Sequence, residues 1–170
     1  MTLSYLKLSE CLTASKLERI QRTGKIYRAQ AWSVRVIQTR RKLLTTKNEM
    51  LISDALPAPI GPFSHAVRAG EFVFLSGQVG QDPATGKIIE GTVAQQAQQA
   101  FANIRQVLKS AGKTFDDVVK VNVFLADMAD FAAMNEVYAQ TFRKPYPART
   151  TVAVAGLPMG ARVEIELTAR

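Results

Sequence analysis

The clearest pattern of apolar and polar positions is a helical one over residues 93–108. Apolar side chains recur there at the three- and four-residue spacing of a helix with one face turned to a core. Thr92 followed by Gln95 has the form of a capping box at the start of such a helix. Gly112 is placed to end it in a left-handed cap. The apolar stripe comprises Val93, Ala97, Ala100, Phe101, Ile104, Val107 and Leu108.

A second helix is predicted after a strand. Residues 119–125 alternate between apolar and polar, as in a half-buried strand, with Val119, Val121, Val123 and Leu125 on one face. The helix that follows can be capped by Asp127 or Asp130 and is ended by Pro145 and Pro147. Its apolar stripe comprises Phe131, Met134, Tyr138 and Phe142.

The remaining apolar runs predict further strands at residues 71–75, 150–154 and 162–168. A turn at residues 82–86 carries Pro83 and Gly86. The order of strands and helices predicts an α+β fold, a mixed sheet of about six strands with two helices on one face. Val118 and Phe124 are expected on the reverse face. Because that face is then not fully polar, the pattern favours a homo-oligomer.

Charge is distributed unevenly along the 170 residues, whose net charge is +8. Residues 1–49 hold 11 Lys or Arg and three Glu, whereas residues 50–170 hold 11 basic and 11 acidic residues. The excess charge therefore lies outside the body of the chain. A nucleic-acid partner for that body is not indicated by the overall charge.

The segment of residues 1–49 is interpreted as a basic N-terminal extension, separate from a domain of residues 50–170 and expected to be disordered. It is rich in Arg, contains Ser and is poor in acids, which is typical of an organellar presequence. The alternative is that Met50 is the true start. Cytoplasmic localisation is predicted, with an organelle such as the mitochondrion as the alternative. No apolar run in the segment approaches the length of a membrane span.

The chain has one cysteine, Cys11, and one histidine, His65. The single cysteine excludes an internal disulfide framework and a Cys-rich zinc site. With a single histidine, a histidine-based metal cluster or a Ser-His-Asp triad is hard to build. Neither a metal nor a cofactor is predicted. Carboxylates, arginine, hydroxyls and backbone groups remain as candidates for chemistry. His65 is expected to be structural or solvated rather than a base.

Several short segments occur in a characteristic order. They are Ile60-Gly61-Pro62-Phe63-Ser64-His65-Ala66-Val67, Leu75-Ser76-Gly77-Gln78, Asp127-Met128-Ala129-Asp130-Phe131 with Asn135, Pro147-Ala148-Arg149-Thr150-Thr151-Val152, Leu157-Pro158 and Val163-Glu164-Ile165-Glu166. In order and spacing they resemble the RidA (reactive intermediate deaminase) family over residues 52–169. The resemblance implies a chorismate-mutase-like fold and a homotrimer whose active sites lie between adjacent subunits.

The resemblance further implies hydrolysis of 2-imino acids, such as 2-iminobutanoate and 2-iminopropanoate, to 2-keto acids and ammonia. Arg149 falls on the family's arginine for the substrate carboxylate, a group that a guanidinium fork can grip with two hydrogen bonds. Glu164 falls on the glutamate near the imine, where a carboxylate can manage a water and its protons. Without the resemblance, Arg149 would be interpreted first as a surface arginine paired with an acid. Glu164 would be interpreted as an exposed carboxylate of a strand.

Ser76, Gly77, Asn135 and Thr151 are expected to line or support the same site. Thr151 stands where many relatives have cysteine, which argues against thiol chemistry. Phe63 stands where the family usually has tyrosine, so a hydroxyl donor is missing. A hydrogen bond to a charged group contributes roughly 1.5–3 kcal/mol, so turnover could fall by about one or two decades.

Two other functions stay open. Some members of the family are described as endoribonucleases that inhibit translation, and the basic extension leaves that hypothesis in place. The other is a ligand-binding or chaperone-like trimer with weak catalysis, which Phe63 makes worth testing.

Overall fold

The computed structural model describes residues 48–170, and the predictions for residues 1–47 lie outside them. The first described strand begins at Glu49, next to the predicted domain boundary. The elements in chain order are β1 (Glu49–Leu51), β2 (Ala66–Ala69), β3 (Phe72–Val79), α1 (Val93–Ser110), β4 (Val118–Leu125), α2 (Phe131–Thr141), β5 (Ala148–Ala153) and β6 (Val163–Ala169). No helix within this range is both long and apolar enough to cross a membrane.

The strands form one mixed sheet of six strands in the order β1-β2-β3-β6-β4-β5. Every neighbouring pair is antiparallel except β4 and β5, which are parallel. The parallel pair is joined by α2, as a crossover connection requires. The predicted α+β fold with two helices is confirmed, and β5 lies at an edge of the sheet.

The core lies between the sheet and the two helices. One face of β4 and β6 buries Val121, Val123, Val163 and Ile165, none of which is exposed to solvent. From α1, the predicted apolar stripe is buried throughout. Since all of these side chains belong to one apolar cluster, the helices cover the same side of the sheet. The other side is called the open face below.

Both predicted ends of α1 are confirmed. Thr92 and Gln95 form a reciprocal capping box, which satisfies two backbone N–H groups at the N-terminus. At the other end Gly112 has a φ of +67°. There the N–H of Lys113 donates to the carbonyl of Leu108 at 2.8 Å, which closes a Schellman motif. Local chemistry alone therefore determines both ends of this helix.

The start of α2 differs in detail from the prediction. Asp127 accepts a hydrogen bond from the backbone N–H of Ala129 at 2.9 Å, so it caps a short 3-10 turn before the helix. Asp130 occupies the N-cap position without a side-chain cap and instead pairs with Arg162 at 2.7 Å. The helix ends at Thr141, ahead of both prolines. Its predicted stripe faces the core.

The prediction for the start of β4 is wrong. Val119 is 43% exposed, whereas Val118 is only 8% exposed and belongs to the core. The register between β4 and β6 shifts between Val118 and Lys120, which is the signature of a bulge. An extra residue in one strand reverses the side-chain alternation before it. Simple alternation therefore assigned these two valines to the wrong faces.

Candidate active site

A cavity of about 320 Å³ opens beside the middle of the sheet. It contains four of the residues that the sequence singled out, namely Phe63, Ser76, Gly77 and Glu164. Its wall is largely apolar, with Ile60 and Met159 at the rim, 90% and 50% exposed. The carboxylate of Glu164 is thus the acidic group of a mostly apolar recess. We call this recess the glutamate cavity.

The glutamate cavity depends on a bulge in β3. The pairing of β3 with β6 shifts register between Leu75 and Gln78, so Ser76 and Gly77 lie in the irregular stretch. The side chain of Gln78 donates to the carbonyl of Gly77 at 3.1 Å. A Cβ atom added to Gly77 would overlap the Glu164 carboxylate and come within 2.7 Å of its carboxyl carbon. Glycine is needed here because the carboxylate lies directly against the backbone.

Burial raises the pKa of the Glu164 carboxyl, and the neighbouring negative charge of Glu166 raises that pKa further. Glu166 lies two residues along β6 on the same face and accepts a hydrogen bond from Asn122 at 2.8 Å. Glu164 therefore holds a proton more readily than an ordinary glutamate. This property suits a group that exchanges protons with a bound water.

Two polar side chains at the glutamate cavity, those of Ser76 and His65, already make hydrogen bonds within the chain. The Ser76 hydroxyl donates to the carbonyl of Ser64 at 2.7 Å, so its proton is used within the chain. His65 is 4% exposed. Its Nδ1 accepts from the N–H of Ser53 at 3.0 Å and its Nε2 lies 3.1 Å from the carbonyl of Pro57. His65 therefore braces the segment before β2, in line with the structural role predicted for it.

Arg149 lies in a second cavity of about 300 Å³, which we call the arginine cavity. Its Nη1 donates to Oδ1 of Asn135 at 2.8 Å. Asn135 comes from α2 and Arg149 from β5, so the helix supports the side chain of the edge strand. The structure thus brings together two of the residues that the sequence assigned to one site. The cavity is also lined by Tyr138, Ala139, Tyr146 and Pro147.

Two aromatic rings contact the Arg149 guanidinium, and the sequence did not indicate either contact. Its Cζ lies 4.4 Å from the centre of the Tyr138 ring and 5.7 Å from that of Phe131. Both distances are within the range of a cation–π interaction. The sequence placed both rings in the core stripe of α2. Their spacing of three and four residues from Asn135 was the only available signal that they could share its side of the helix.

Thr151 lies two residues after Arg149 and so on the same side of β5. Its hydroxyl oxygen is buried and has no hydrogen-bond partner within residues 48–170. The same holds for the hydroxyl of Tyr138. These two oxygens are the buried side-chain polar atoms left unpaired in the described part of the chain.

The two cavities lie on opposite faces of the sheet and share no lining residue. Arg149 is paired in register with the buried Val121, so it points to the helix-covered side. Glu164 is paired with Phe124 and alternates with the buried Val163 and Ile165, so it points to the open face. One chain therefore does not bring the arginine and the glutamate into a single site.

The fold and these two cavities define a small α+β protein with an ordered arginine at the sheet edge and a partly buried glutamate on the open face. The family model described as Endoribonuclease L-PSP matches residues 53–170. The chain belongs to this family, which is the family of the RidA proteins.

Its relatives include a human protein named 2-iminobutanoate/2-iminopropanoate deaminase, 47% identical over 113 residues, which are 66% of this chain and 82% of the relative. A crystal structure of RidA from an Antarctic Psychrobacter is 45% identical with a TM-score of 0.68, covering 71% of this chain and 98% of that one. The crystal structure of E. coli TdcF with bound serine is 38% identical with a TM-score of 0.67, covering 71% and 97%. The resemblance predicted from the sequence is confirmed.

Proposed function

We propose that this protein is a 2-iminobutanoate/2-iminopropanoate deaminase that hydrolyses 2-imino acids to 2-keto acids and ammonia. The names of relatives at 47% to 50% identity support the reaction. The serine bound to E. coli TdcF is a small amino acid with a carboxylate beside a nitrogen-bearing carbon, which supports the substrate class.

The observation that carries the proposal is the setting of Arg149. Its guanidinium makes a single hydrogen bond, to Asn135, within residues 48–170. No carboxylate of the described chain lies within ion-pair distance of it. Its remaining N–H groups are therefore available for the two parallel hydrogen bonds that a carboxylate accepts. A held but unneutralised arginine is what binding of a small anionic acid requires.

Glu164 is proposed to manage the water. It lies in a largely apolar recess and its pKa is raised. In its ionised form it takes a proton from water, whose oxygen forms the bond to C2 of the protonated imine. Glu164 then returns that proton to the nitrogen of the carbinolamine, the C2–N bond breaks, and the departing ammonia takes the proton of the carbinol hydroxyl, so that a 2-keto acid and an ammonium ion are released. The protonated imine and water supply all of these atoms and protons. No redox partner is needed, because a 2-imino acid and a 2-keto acid are at the same oxidation level.

The complete site is proposed to form between adjacent subunits of a homotrimer. The support is geometric, since Arg149 and Glu164 face opposite sides of one sheet and must meet through a second chain. Exposed apolar side chains add support. Phe74, Val152 and Phe63 are 49%, 41% and 50% exposed, and the first two lie on the open face. In the assembly, Arg149 of one subunit approaches the glutamate cavity of its neighbour, beside Phe63.

The steady-state release of 2-ketobutyrate from enzymatically generated 2-iminobutyrate tests the proposal. The full-length wild type is expected to exceed buffer, and Arg149→Ala is expected to lose roughly 100-fold or more, because two charge-assisted hydrogen bonds disappear. Arg105→Ala is the matched control. Arg105 also lies over an aromatic ring, that of Phe115 at 5.4 Å, but is exposed and outside both cavities. Wild type and Arg149→Ala both equal to buffer would overturn the assignment.

An endoribonuclease, the activity for which the family is named, is the second candidate. Its supporting observation is the basic segment of residues 1–49, because the domain of residues 50–170 is charge-balanced. RNA cleavage by the full-length chain, with no 2-ketobutyrate release, would favour it over the deaminase. Loss of that cleavage on truncation to Met50 would assign RNA binding to the basic segment, and its persistence would assign the activity to the domain.

Residues 1–49 are proposed to act apart from this chemistry, since the family match begins at residue 53. Cytoplasmic action is proposed unless this segment is a presequence, in which case a full-length fluorescent fusion would enter an organelle.

A further inference from the structure

The Arg149 side chain is held by more than its hydrogen bond to Asn135. The face of the Tyr138 ring lies 4.4 Å from the guanidinium carbon, closer than the other two cation–π contacts of the described chain, which are 5.4 and 5.7 Å. Tyr138 is 5% exposed and lies on α2, which packs against the sheet. Its ring is therefore a rigid surface against which the arginine rests.

This contact matters because a guanidinium with one fixed hydrogen bond can still rotate about it. A ring face restricts that rotation, since the attraction is strongest when the cation lies over the ring. The ring is sheltered from water, which strengthens the attraction relative to an exposed pair. Asn135 and Tyr138 both belong to α2, so this helix supplies both a hydrogen bond and a ring face to the guanidinium.

We propose that Tyr138 is a positioning residue for substrate binding, holding the Arg149 guanidinium in the plane in which it grips the substrate carboxylate. The inference rests on the proposed function and adds a residue that does not itself touch the substrate. The ring and not the hydroxyl carries the effect. The Tyr138 hydroxyl is buried without a hydrogen-bond partner in residues 48–170, so it contributes no bond that phenylalanine would lose.

Phe142 provides a matched control for the packing role of Tyr138. Its ring lies 4.6 Å from that of Tyr138 and is 3% exposed, so the two belong to one aromatic cluster. No cation–π contact joins Phe142 to Arg149 in the described chain. Truncating either ring to leucine should therefore cost similar stability, whereas only Tyr138 should affect the arginine.

The experiment compares full-length wild type, Tyr138→Phe, Tyr138→Leu and Phe142→Leu in the 2-iminobutyrate assay, with kcat, KM and melting temperature for each. We expect Tyr138→Phe to stay within about twofold of wild type. Tyr138→Leu should raise KM about tenfold with a smaller change in kcat, because a misaligned fork weakens binding. Phe142→Leu should lower the melting temperature to a similar extent and leave KM unchanged.

Phe131→Leu covers the case in which Tyr138→Leu does not fold. Phe131 is only partly buried and its ring lies farther from the cation, so KM should rise about two- to threefold. An unchanged KM in every foldable ring variant, or a loss in Tyr138→Phe equal to that in Tyr138→Leu, would overturn the inference while leaving an active deaminase. A wild-type rate equal to buffer would overturn the proposed function and this inference with it.

Discussion

The arginine cavity and the glutamate cavity surround charged side chains of opposite sign with different environments. Aromatic ring faces and an amide oxygen contact the Arg149 guanidinium, and no carboxylate of the described chain neutralises it. Glu164 is instead set in a largely apolar recess beside a second carboxylate, which raises its pKa. One setting favours binding of an anion and the other favours uptake of a proton. Under the proposed function, the comparison indicates that a single chain prepares two half-sites, each complementary to a different part of the substrate.

Removing the acid from the glutamate cavity should have the largest effect. We expect Glu164→Gln to lower kcat about 1,000-fold, since positioned proton transfer contributes about 100- to 10,000-fold. The KM should change far less, because Arg149 is the residue proposed to hold the carboxylate of the substrate. The steady-state rate of 2-ketobutyrate release, measured over a range of substrate concentrations, gives both kcat and KM. A Glu164→Gln enzyme with near-normal kcat would show that the glutamate cavity does not carry the chemistry.

The same variant makes a prediction about stability with a definite sign. Because the pKa of Glu164 is raised in the folded state, wild type loses stability as pH rises through that pKa. Glu164→Gln should therefore melt at a higher temperature than wild type at neutral pH. The difference should close below the pKa of an unfolded glutamate. Thermal melts from acid to neutral pH test this, and a lower melting temperature at neutral pH would contradict it.

Adding one methyl group to the glutamate cavity should have a smaller effect. Gly77→Ala places a Cβ where the Glu164 carboxylate lies, so the flexible side chain must turn away. We expect kcat/KM to fall about 100-fold while the fold persists, because misplacement of about 1 Å costs about that much. Gly156→Ala is the control, since a Cβ there meets nothing within 4 Å in the described chain. Equal activity of the two variants would refute this account of Gly77.

Restoring the hydroxyl at Phe63 should increase activity. Its ring borders the glutamate cavity and is 50% exposed, so a para hydroxyl can be accommodated. We expect Phe63→Tyr to raise kcat/KM about tenfold through a hydrogen bond to a charged group or its water. Phe63→Leu, which removes the ring without adding a donor, should not. A rate for Phe63→Tyr at or below wild type would show that the hydroxyl is dispensable here.

The smallest effect is expected from Glu166→Gln, which removes the second cause of the raised Glu164 pKa. The acidic limb of the kcat profile should move to lower pH, because Glu164 then loses its proton more easily. It should stay above the ordinary glutamate range, because burial is the larger cause and remains. The hydrogen bond accepted from Asn122 can persist in the amide variant. If the acidic limb did not move, the charge of Glu166 would have no effect on the pKa of Glu164, which would contradict this prediction.

Much of this fold could be predicted because its signals are local. The two ends of α1 follow from residues within one turn of it, and its core face follows from periodicity. Val119 could not be assigned correctly, since the bulge that exposes it is set by the pairing of β4 with β6. No local sequence pattern indicates where the pairing with a distant strand shifts register.

For the candidate site, too, some features could be predicted from the sequence and others could not. The segments carrying Arg149 and Glu164 could be found from the sequence, as could the alternation that turns Glu164 away from the core. The side to which Arg149 points depends on the register of β5 against β4, and its contact with Tyr138 depends on how α2 crosses the sheet. The separation of the two charged residues therefore required the tertiary structure.

Mixing two inactive variants tests most directly whether the site is built from two chains. Arg149→Ala and Glu164→Gln chains, dissociated and reassembled together in equal amounts, should regain about a quarter of the wild-type rate per chain, because a quarter of random neighbouring pairs supply both intact residues. Each variant treated alone should stay inactive. A mixture no more active than its components, from chains shown to have exchanged, would place both residues in a site within one chain and contradict the account.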